Sequence, residues 1–194
     1  MVFLHLAHGS GLSYRVTTLT ALRDAAAWGK LVERVDTGDL RELAEATDRL
    51  RHDVSAKMLI PLPWAPLQTI ELETVPTQPQ SHELTLFMED TMWPYEGKLE
   101  EYIQRSGAHY FQEMQQPGAI LEIQAGFRSA FGSHRRREIV LLQKAVDPQR
   151  IIHLLMTEIP EEMRKPGSWM LDGLKLRDQW QSRLLRTSAW SPWF

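Results

Sequence analysis

The sequence predicts an α+β fold made of two tandem copies of one structural unit, the first of them incomplete. Two observations lead to this prediction. Segments of the first half recur in the same order in the second half, and strand-like alternation is interleaved with helical periodicity. Residues 49–66 match residues 175–192 without a gap at an offset of 126, and residues 3–9 match residues 120–126 at an offset of 117. Loop insertions can absorb the difference between the two offsets.

The longer match pairs residues of the same kind. Apolar residues meet apolar residues, basic residues meet basic residues, and each copy carries a tryptophan two residues before a proline. The aligned pairs are Leu50 with Leu176, Arg51 with Arg177, Lys57 with Arg183, Leu59 with Leu185, Trp64 with Trp190 and Pro66 with Pro192. The two tryptophans are expected to pack at the end of the last strand of each copy, with ligand stacking as the alternative.

The two copies differ in length, because residues 82–118 have no counterpart before Phe3. The second copy, residues 82–194, therefore has the element order β-α-β-β-α-β. The first copy, residues 1–72, has the order β-β-α-β and lacks the opening strand and helix. Residues 73–81 contain two prolines and are expected to form an extended linker.

Local patterns justify each element of the second copy. Alternation predicts strands and a spacing of three or four residues predicts helices, while Asp147 followed by Pro148 predicts a capped helix start. The predicted elements are a strand at 82–89, a helix at about 96–114, a strand through 121–124, a hairpin loop at 126–136, a strand at 138–146, a helix from 148, a helical stretch from 168 through Trp180, and a strand near 183–188. In the first copy, Asp24 is the expected cap of a helix carrying Trp28, Leu31 and Val35.

Composition excludes several classes of protein. The 194 residues carry a formal net charge of −3, so neither nucleic acid nor a membrane is expected as a partner. The chain has no cysteine, which excludes disulfide scaffolds, thiol nucleophiles and Cys-ligated metals. No apolar window is long enough to span a bilayer, and the first residues lack the basic region of a signal peptide. We therefore expect a cytoplasmic protein.

Neither a metal nor a cofactor is predicted. The chain has seven histidines, but none of them forms a metal-binding pair at helical spacing, and no spacing singles out a haem ligand.

A β-α-β-β-α-β unit is the ferredoxin-like arrangement, which covers only one face of its sheet with helices. A tandem of such units suggests a dimeric α+β barrel. The segments His82–Phe87 and Tyr95–Tyr102 resemble the strand-turn-helix opening of NIPSNAP-family domains, and Arg183–Pro192 resembles the family's closing strand and tail. The resemblance extends over residues 82–192, and over 2–66 through the repeat. The family usually has two complete units, so the missing strand is expected from upstream or from a homodimer partner.

The resemblance implies a fold more firmly than an activity. Barrels of this superfamily include cofactor-free monooxygenases, haem enzymes, isomerases and ligand-binding proteins. The expected function is binding of a small hydrophobic molecule, or cofactor-independent proton transfer or monooxygenation on one. The alternative is a non-catalytic protein-interaction module that uses an open sheet face and the aromatic C-terminal tail, residues 190–194.

Alternation along the second strand of each copy yields candidate catalytic residues. Leu4, Leu6, Leu121 and Ile123 are expected to face the helices, which turns the repeat-equivalent His5 and Glu122 to the opposite face. A histidine and a glutamate in one apolar cavity suit proton transfer, with Glu122 as the base. The alternative is a partly solvated His5 and a Glu122 that pairs with an arginine. Gln124, Thr85 and Phe3 are the predicted substrate contacts.

The densest basic run is His134–Arg137, in or just after the long hairpin loop. Its functional interpretation is an anion site at the barrel mouth, with Arg137 as a substrate contact. The alternative is a solvated loop that protects a sheet edge from aggregation.

Overall fold

The computed structural model describes residues 6–10, 13–71, 73, 75–132, 136–189 and 191–192. The strands are β1 (Leu6–Ser10), β2 (Ser13–Thr17), β3 (Leu59–Pro61), β4 (Leu86–Pro94), β5 (Leu121–Ser129), β6 (Ile139–Ala145) and β7 (Arg177–Thr187). The α-helices are α1 (Ala25–Asp36), α2 (Arg41–Asp48), α3 (Leu99–Ser106), α4 (Gln112–Met114), α5 (Pro148–Met156) and α6 (Trp169–Asp172). A π-helical turn, Gly107–Phe111, joins α3 to α4, and short 3-10 turns occupy Glu161–Arg164 and Gly173–Lys175.

The strands form one seven-stranded sheet in the order β2-β1-β7-β4-β6-β5-β3. Every pairing is antiparallel. The predicted α+β class is therefore confirmed. Strands of the first half lie on both sides of those of the second half, because β1 pairs with β7 and β3 pairs with β5.

Alternation along β4 separates the two faces of the sheet. Met88 and Met92 pack in the two core clusters that include side chains of α5 and α3. Phe87 lies on the other face, in a cluster with Phe127 and Leu185 that Leu19, Leu59 and Leu67 cover in part. The helix-covered face carries the larger core and positions the candidate site.

Several predicted elements are confirmed. The helix predicted at 96–114 is one continuous helical run over residues 99–114, made of α3, the π-helical turn and α4. Asp147 caps α5 by accepting hydrogen bonds from the backbone N–H groups of Gln149 and Arg150. Asp24 caps α1 in the same way through Ala27.

Three predicted boundaries are wrong, and tertiary pairing explains each. The opening strand spans 86–94 rather than 82–89, because its ladder with β7 runs from Leu86 to Pro94. The strand β5 continues through the predicted loop start to Ser129, because β3 pairs with residues 127–129. Trp180 lies in β7 and not in a helix, because residues 177–186 pair with β4.

None of the helices in the described ranges has the length and apolar character needed to cross a membrane.

Candidate functional site

A small cavity lies between α3 and the sheet. Its volume is about 10 Å³, which is room for roughly one water molecule. Five of the nine side chains around it are aromatic. The lining residues are Trp64, Met92, Tyr102, Ser106, Tyr110, Ile139, Leu141, Trp169 and Trp180.

The helical run above the cavity positions two of its tyrosines. Tyr102 comes from α3, and Tyr110 comes from the π-helical turn. Trp64 packs against this run, since its indole N–H donates to the carbonyl of Ile103 in α3 at 2.8 Å. A β-carbon on Gly107 would lie 2.5 Å from the Trp64 ring, so only glycine permits this close packing. Irregular π-turns of this kind occur frequently at functional sites.

A chain of buried polar groups starts at the cavity wall. The Tyr110 hydroxyl donates to Gln143 Oε1 at 2.6 Å, and Gln143 Nε2 donates to Asp90 Oδ2 at 2.7 Å. The other carboxylate oxygen of Asp90 accepts a hydrogen bond from the Ser182 hydroxyl at 2.5 Å. Asp90 and Gln143 are fully buried. The chain therefore connects the cavity to the centre of the sheet and ends at Ser182, which is exposed.

Burial dominates the electrostatics of this chain. It raises the pKa of Asp90, whose neighbours Ser182, Trp180 and Gln143 are neutral donors that oppose the rise. Burial also raises the pKa of Tyr102 and of Tyr110, so both hydroxyls stay protonated across the physiological range. A buried carboxyl group with a raised pKa beside an aromatic cavity is typical of a functional site.

Arg177 lies at the edge of the same site, 2% exposed. Its guanidinium carbon is 4.5 Å from the centre of the Trp180 ring and 6.0 Å from that of Tyr102. Among the described residues, its Nε and Nη1 have no hydrogen-bond partner. Trp180 Nε1 makes no hydrogen bond of normal geometry, but its indole N–H opposes the rise in the pKa of Asp90 and so faces that carboxyl group. Buried N–H donors are almost always paired, so two unpaired donors on one buried guanidinium are unusual.

The other face of the sheet carries a different set of charges. Glu89 is buried and pairs with Arg183, and Thr91 lies 3.5 Å from the same carboxylate. Lys57 pairs with the buried Glu138 at one end of β6. These ion pairs are internally matched, so the face offers less free hydrogen-bonding capacity than the cavity side.

The structure brings some of the sequence-predicted residues together and separates others. Glu122 is exposed on β5 opposite Lys144, and Gln124 sits at the bulge two residues away. Thr85 lies at the same end of the sheet, where its backbone pairs with Thr187. Arg137 is at the opposite end of the β5–β6 hairpin, exposed, with its guanidinium 5.6 Å from the Phe131 ring centre. His5 and Phe3 lie outside the described residues, as do Leu4 and the tail residues Trp190, Trp193 and Phe194.

Sequence reasoning missed Asp90, Gln143 and Arg177. The signal for Asp90 was present, since it interrupts the apolar alternation Met88–Met92 at the position of a core residue. The signal for Arg177 was its place next to Leu176 inside the repeat. Neither could be linked to the cavity before the order of the strands was known.

Within the described ranges, no group of three or more His, Asp or Glu side chains is placed to hold a metal ion. The donors around the cavity are aromatic hydroxyls, indole N–H groups and a guanidinium, which suit an organic or anionic ligand better than a cation.

No family model, no curated protein and no solved structure matches this chain.

Proposed function

We propose that this chain is a small-molecule-binding protein of two ferredoxin-like repeats, with its ligand site in the cavity between α3 and the sheet. The aromatic cavity, joined to the Tyr110–Gln143–Asp90 chain, is the observation that carries this proposal. Few polar groups in an otherwise apolar pocket are the usual composition of a ligand site. A flat hydrophobic molecule that stacks on Trp64, Trp169 and Trp180 fits this composition best.

Strand pairing supports the two repeats and a barrel. In the second half, the neighbours β7-β4-β6-β5 are the fourth, first, third and second strands, which is the ferredoxin-like order. If β1, β2 and β3 are the second, third and fourth strands of the first copy, the second strand of each copy pairs with the fourth strand of the other. This reciprocity is what a closed two-fold barrel needs, and it agrees with the NIPSNAP resemblance. The cytoplasmic location remains a proposal from the sequence.

The cavity holds only about one water molecule, so an organic ligand requires the roof to move. The π-helical turn Gly107–Phe111 is the part of the roof best suited to this, because its backbone hydrogen bonds already depart from the α-helical pattern. We propose that the turn shifts when the ligand enters.

A catalytic version of the proposal is proton transfer or monooxygenation on a hydrophobic substrate. Asp90 is the better candidate for the base, because it is buried on the cavity side of the sheet, whereas Glu122 is exposed on β5. With a substrate in hand, Asp90→Asn should abolish turnover and Glu122→Gln should leave it nearly unchanged. The reverse result would assign the base to Glu122.

Binding is tested by nuclear magnetic resonance with benzamide as a neutral aromatic probe. Each tryptophan indole N–H gives its own signal, so the chain contains its own controls. Benzamide should shift the signals of Trp64, Trp169 and Trp180, which line the cavity. It should leave that of Trp28, which is 42% exposed on α1, in place.

A paired variant locates the site independently. Ser106→Leu adds bulk to the cavity wall, and Glu113→Leu places the same side chain on the exposed side of the same helical run. Only Ser106→Leu should weaken the benzamide shifts. Equal weakening in both variants, or no saturable shift at the three cavity indoles, would contradict the proposal.

The free sheet edges favour a second candidate function. Among the described residues, no strand pairs with the outer edge of β2 or of β3. In the barrel proposed above, the opening strand of the first copy would lie between these two edges. A protein-interaction module would take up an extended segment of a partner there, and a homodimer is one such assembly.

A peptide tests this second function. A peptide of residues 82–94 contains the strand that the repeat equates with the missing one, so it should bind and be detected by fluorescence anisotropy. The same peptide with Met88→Pro should not bind, because proline cannot donate to a ladder. Equal binding of both peptides would point to non-specific association, and native mass spectrometry would show whether a dimer already fills the edges.

A further inference from the structure

The guanidinium of Arg177 is buried without the partners that a buried charge normally has. It is 2% exposed, and its Nε and Nη1 make no hydrogen bond to any described residue. Burying a charge is costly unless it is paired and hydrogen-bonded. Both nitrogens are donors, so what they lack is an acceptor.

Two aromatic rings and one glycine lie against the guanidinium. Its planar surface lies over the Trp180 and Tyr102 rings, at 4.5 and 6.0 Å from their centres. Gly173 lies next to Nη1, and a β-carbon added to this glycine would be 2.0 Å from that nitrogen. Glycine at this position keeps the space in which Nη1 sits.

The nearby carboxylates are already engaged. Asp172 pairs with Lys175 at 2.8 Å, and Asp178 pairs with Arg136 at 2.9 Å. Asp90, on the same strand face as Met92, accepts hydrogen bonds from Ser182 and Gln143. None of them forms an ion pair with Arg177, so its positive charge is unmatched among the described residues.

We propose that Arg177 binds an anionic group, either a free halide or the carboxylate of the ligand in the neighbouring cavity. In the second case the inference rests on the proposed binding function, and it narrows the ligand class to aromatic or hydrophobic acids. Arginine matches a carboxylate with two parallel N–H donors, which adds direction to the charge attraction.

Thermal unfolding in a zwitterionic buffer tests the proposal with three probes, sodium chloride, sodium benzoate and benzamide, and the two salts are compared at equal ionic strength. Benzoate and benzamide have the same shape and differ in charge. A bound anion should raise Tm in a way that saturates with its concentration. Arg177→Gln should lower the apparent affinity by about tenfold or more, as expected for charge-assisted hydrogen bonds.

Two further variants separate binding from a structural role. Arg186→Gln removes an exposed charge from the same strand and should change nothing. Gly173→Ala keeps every charge but displaces the guanidinium, so it should weaken anion binding as Arg177→Gln does. In the buffer alone, Arg177→Gln should be at least as stable as the wild type, because it removes an unpaired buried charge. A purely structural arginine would instead make this variant less stable in every salt.

Each pattern of results decides the matter. Stabilisation by benzoate beyond that by chloride, lost in Arg177→Gln, identifies a ligand carboxylate and supports both proposals. If chloride stabilises the protein and neither benzoate nor benzamide does, the result supports the anion site and contradicts the small-molecule-binding function. If benzamide binds and benzoate binds no more tightly, the result supports the small-molecule-binding function and overturns the anion site. An equal response of wild type and Arg177→Gln to every salt also overturns it.

Discussion

The first half follows the order in which the second half ends, with two strands, a helical segment and a last strand. The two halves differ in how many apolar side chains they bury. In the second half, α3 buries Leu99, Tyr102 and Ile103, and β6 is buried along nearly its whole length. In the first half, α1 and α2 contain no buried residue. Among the described residues, the buried apolar side chains of the first half are Leu62 and Ala65, and both pack against the core of the second half.

The difference shows that an amphipathic helix needs a sheet surface before it can contribute a core. Trp28 and Val32 lie on α1 with 42% and 36% of their surface exposed, although the helix has a capped start and a regular apolar stripe. The second half has four strands in consecutive positions to cover, whereas the strands of the first half are divided between the two edges of the sheet. The apolar pattern of a helix in the sequence therefore does not show how much that helix contributes to the stability of the fold.

The largest expected effect contrasts a core leucine with a surface one. Leu141→Ala removes a side chain that is 2% exposed in β6, and Leu43→Ala removes one that is 64% exposed in α2. We expect Leu141→Ala to lower the free energy of unfolding by about 2–5 kcal/mol. Leu43→Ala should change it by less than about 0.5 kcal/mol. Urea unfolding followed by circular dichroism measures both, and similar costs would mean that α2 packs on the core in solution.

Two glycines sharpen the comparison at intermediate size. Gly107→Ala places a methyl group 2.5 Å from the Trp64 ring, whereas Gly29→Ala in α1 meets nothing within 4 Å. The first change should destabilise by about 1–3 kcal/mol through overpacking. The second should stabilise α1 by up to about 1 kcal/mol, because alanine is the better helix former. If Gly107→Ala were neutral in the same urea measurement, the contact between Trp64 and the π-helical turn would be loose.

The smallest effect comes from the two helix caps, Asp24 and Asp147. Each aspartate accepts hydrogen bonds from the first turn of its helix, so each change to alanine should cost its helix about 1 kcal/mol. For Asp147→Ala the loss should appear in global unfolding. For Asp24→Ala it should appear mainly as faster amide hydrogen exchange within α1, because that helix is weakly coupled to the core. A global loss in both variants would show that the first half folds cooperatively with the second.

Much of the fold could be predicted from the sequence, because its signals are local. The apolar run in 139–145, the caps Asp24 and Asp147, and the helical spacing in 99–114 depend on neighbours within a few residues. The α+β class followed from these elements. The boundaries that failed, at 86–94, 121–129 and 177–187, are those where a distant strand decides how far pairing extends.

Less of the candidate site could be predicted. Sequence alternation assigned Glu122 to a functional face, but only pairing across the sheet shows that it is exposed. Asp90, Gln143 and Tyr110 form one chain although 20 to 53 positions separate them in sequence, so no local pattern connects them.

The sequence by itself determined the kind of element at most positions, the caps and the order of elements in each half, since backbone preference and side-chain periodicity are short-range properties. The tertiary structure alone decided which strands are neighbours, which half contributes most of the core and which polar groups are buried together. The physical reason is that burial and unpaired charge are properties of a surface enclosed by distant segments. Arg177 is an ordinary basic residue in the sequence, and it becomes a candidate ligand contact only when Trp180, Tyr102 and Gly173 enclose it.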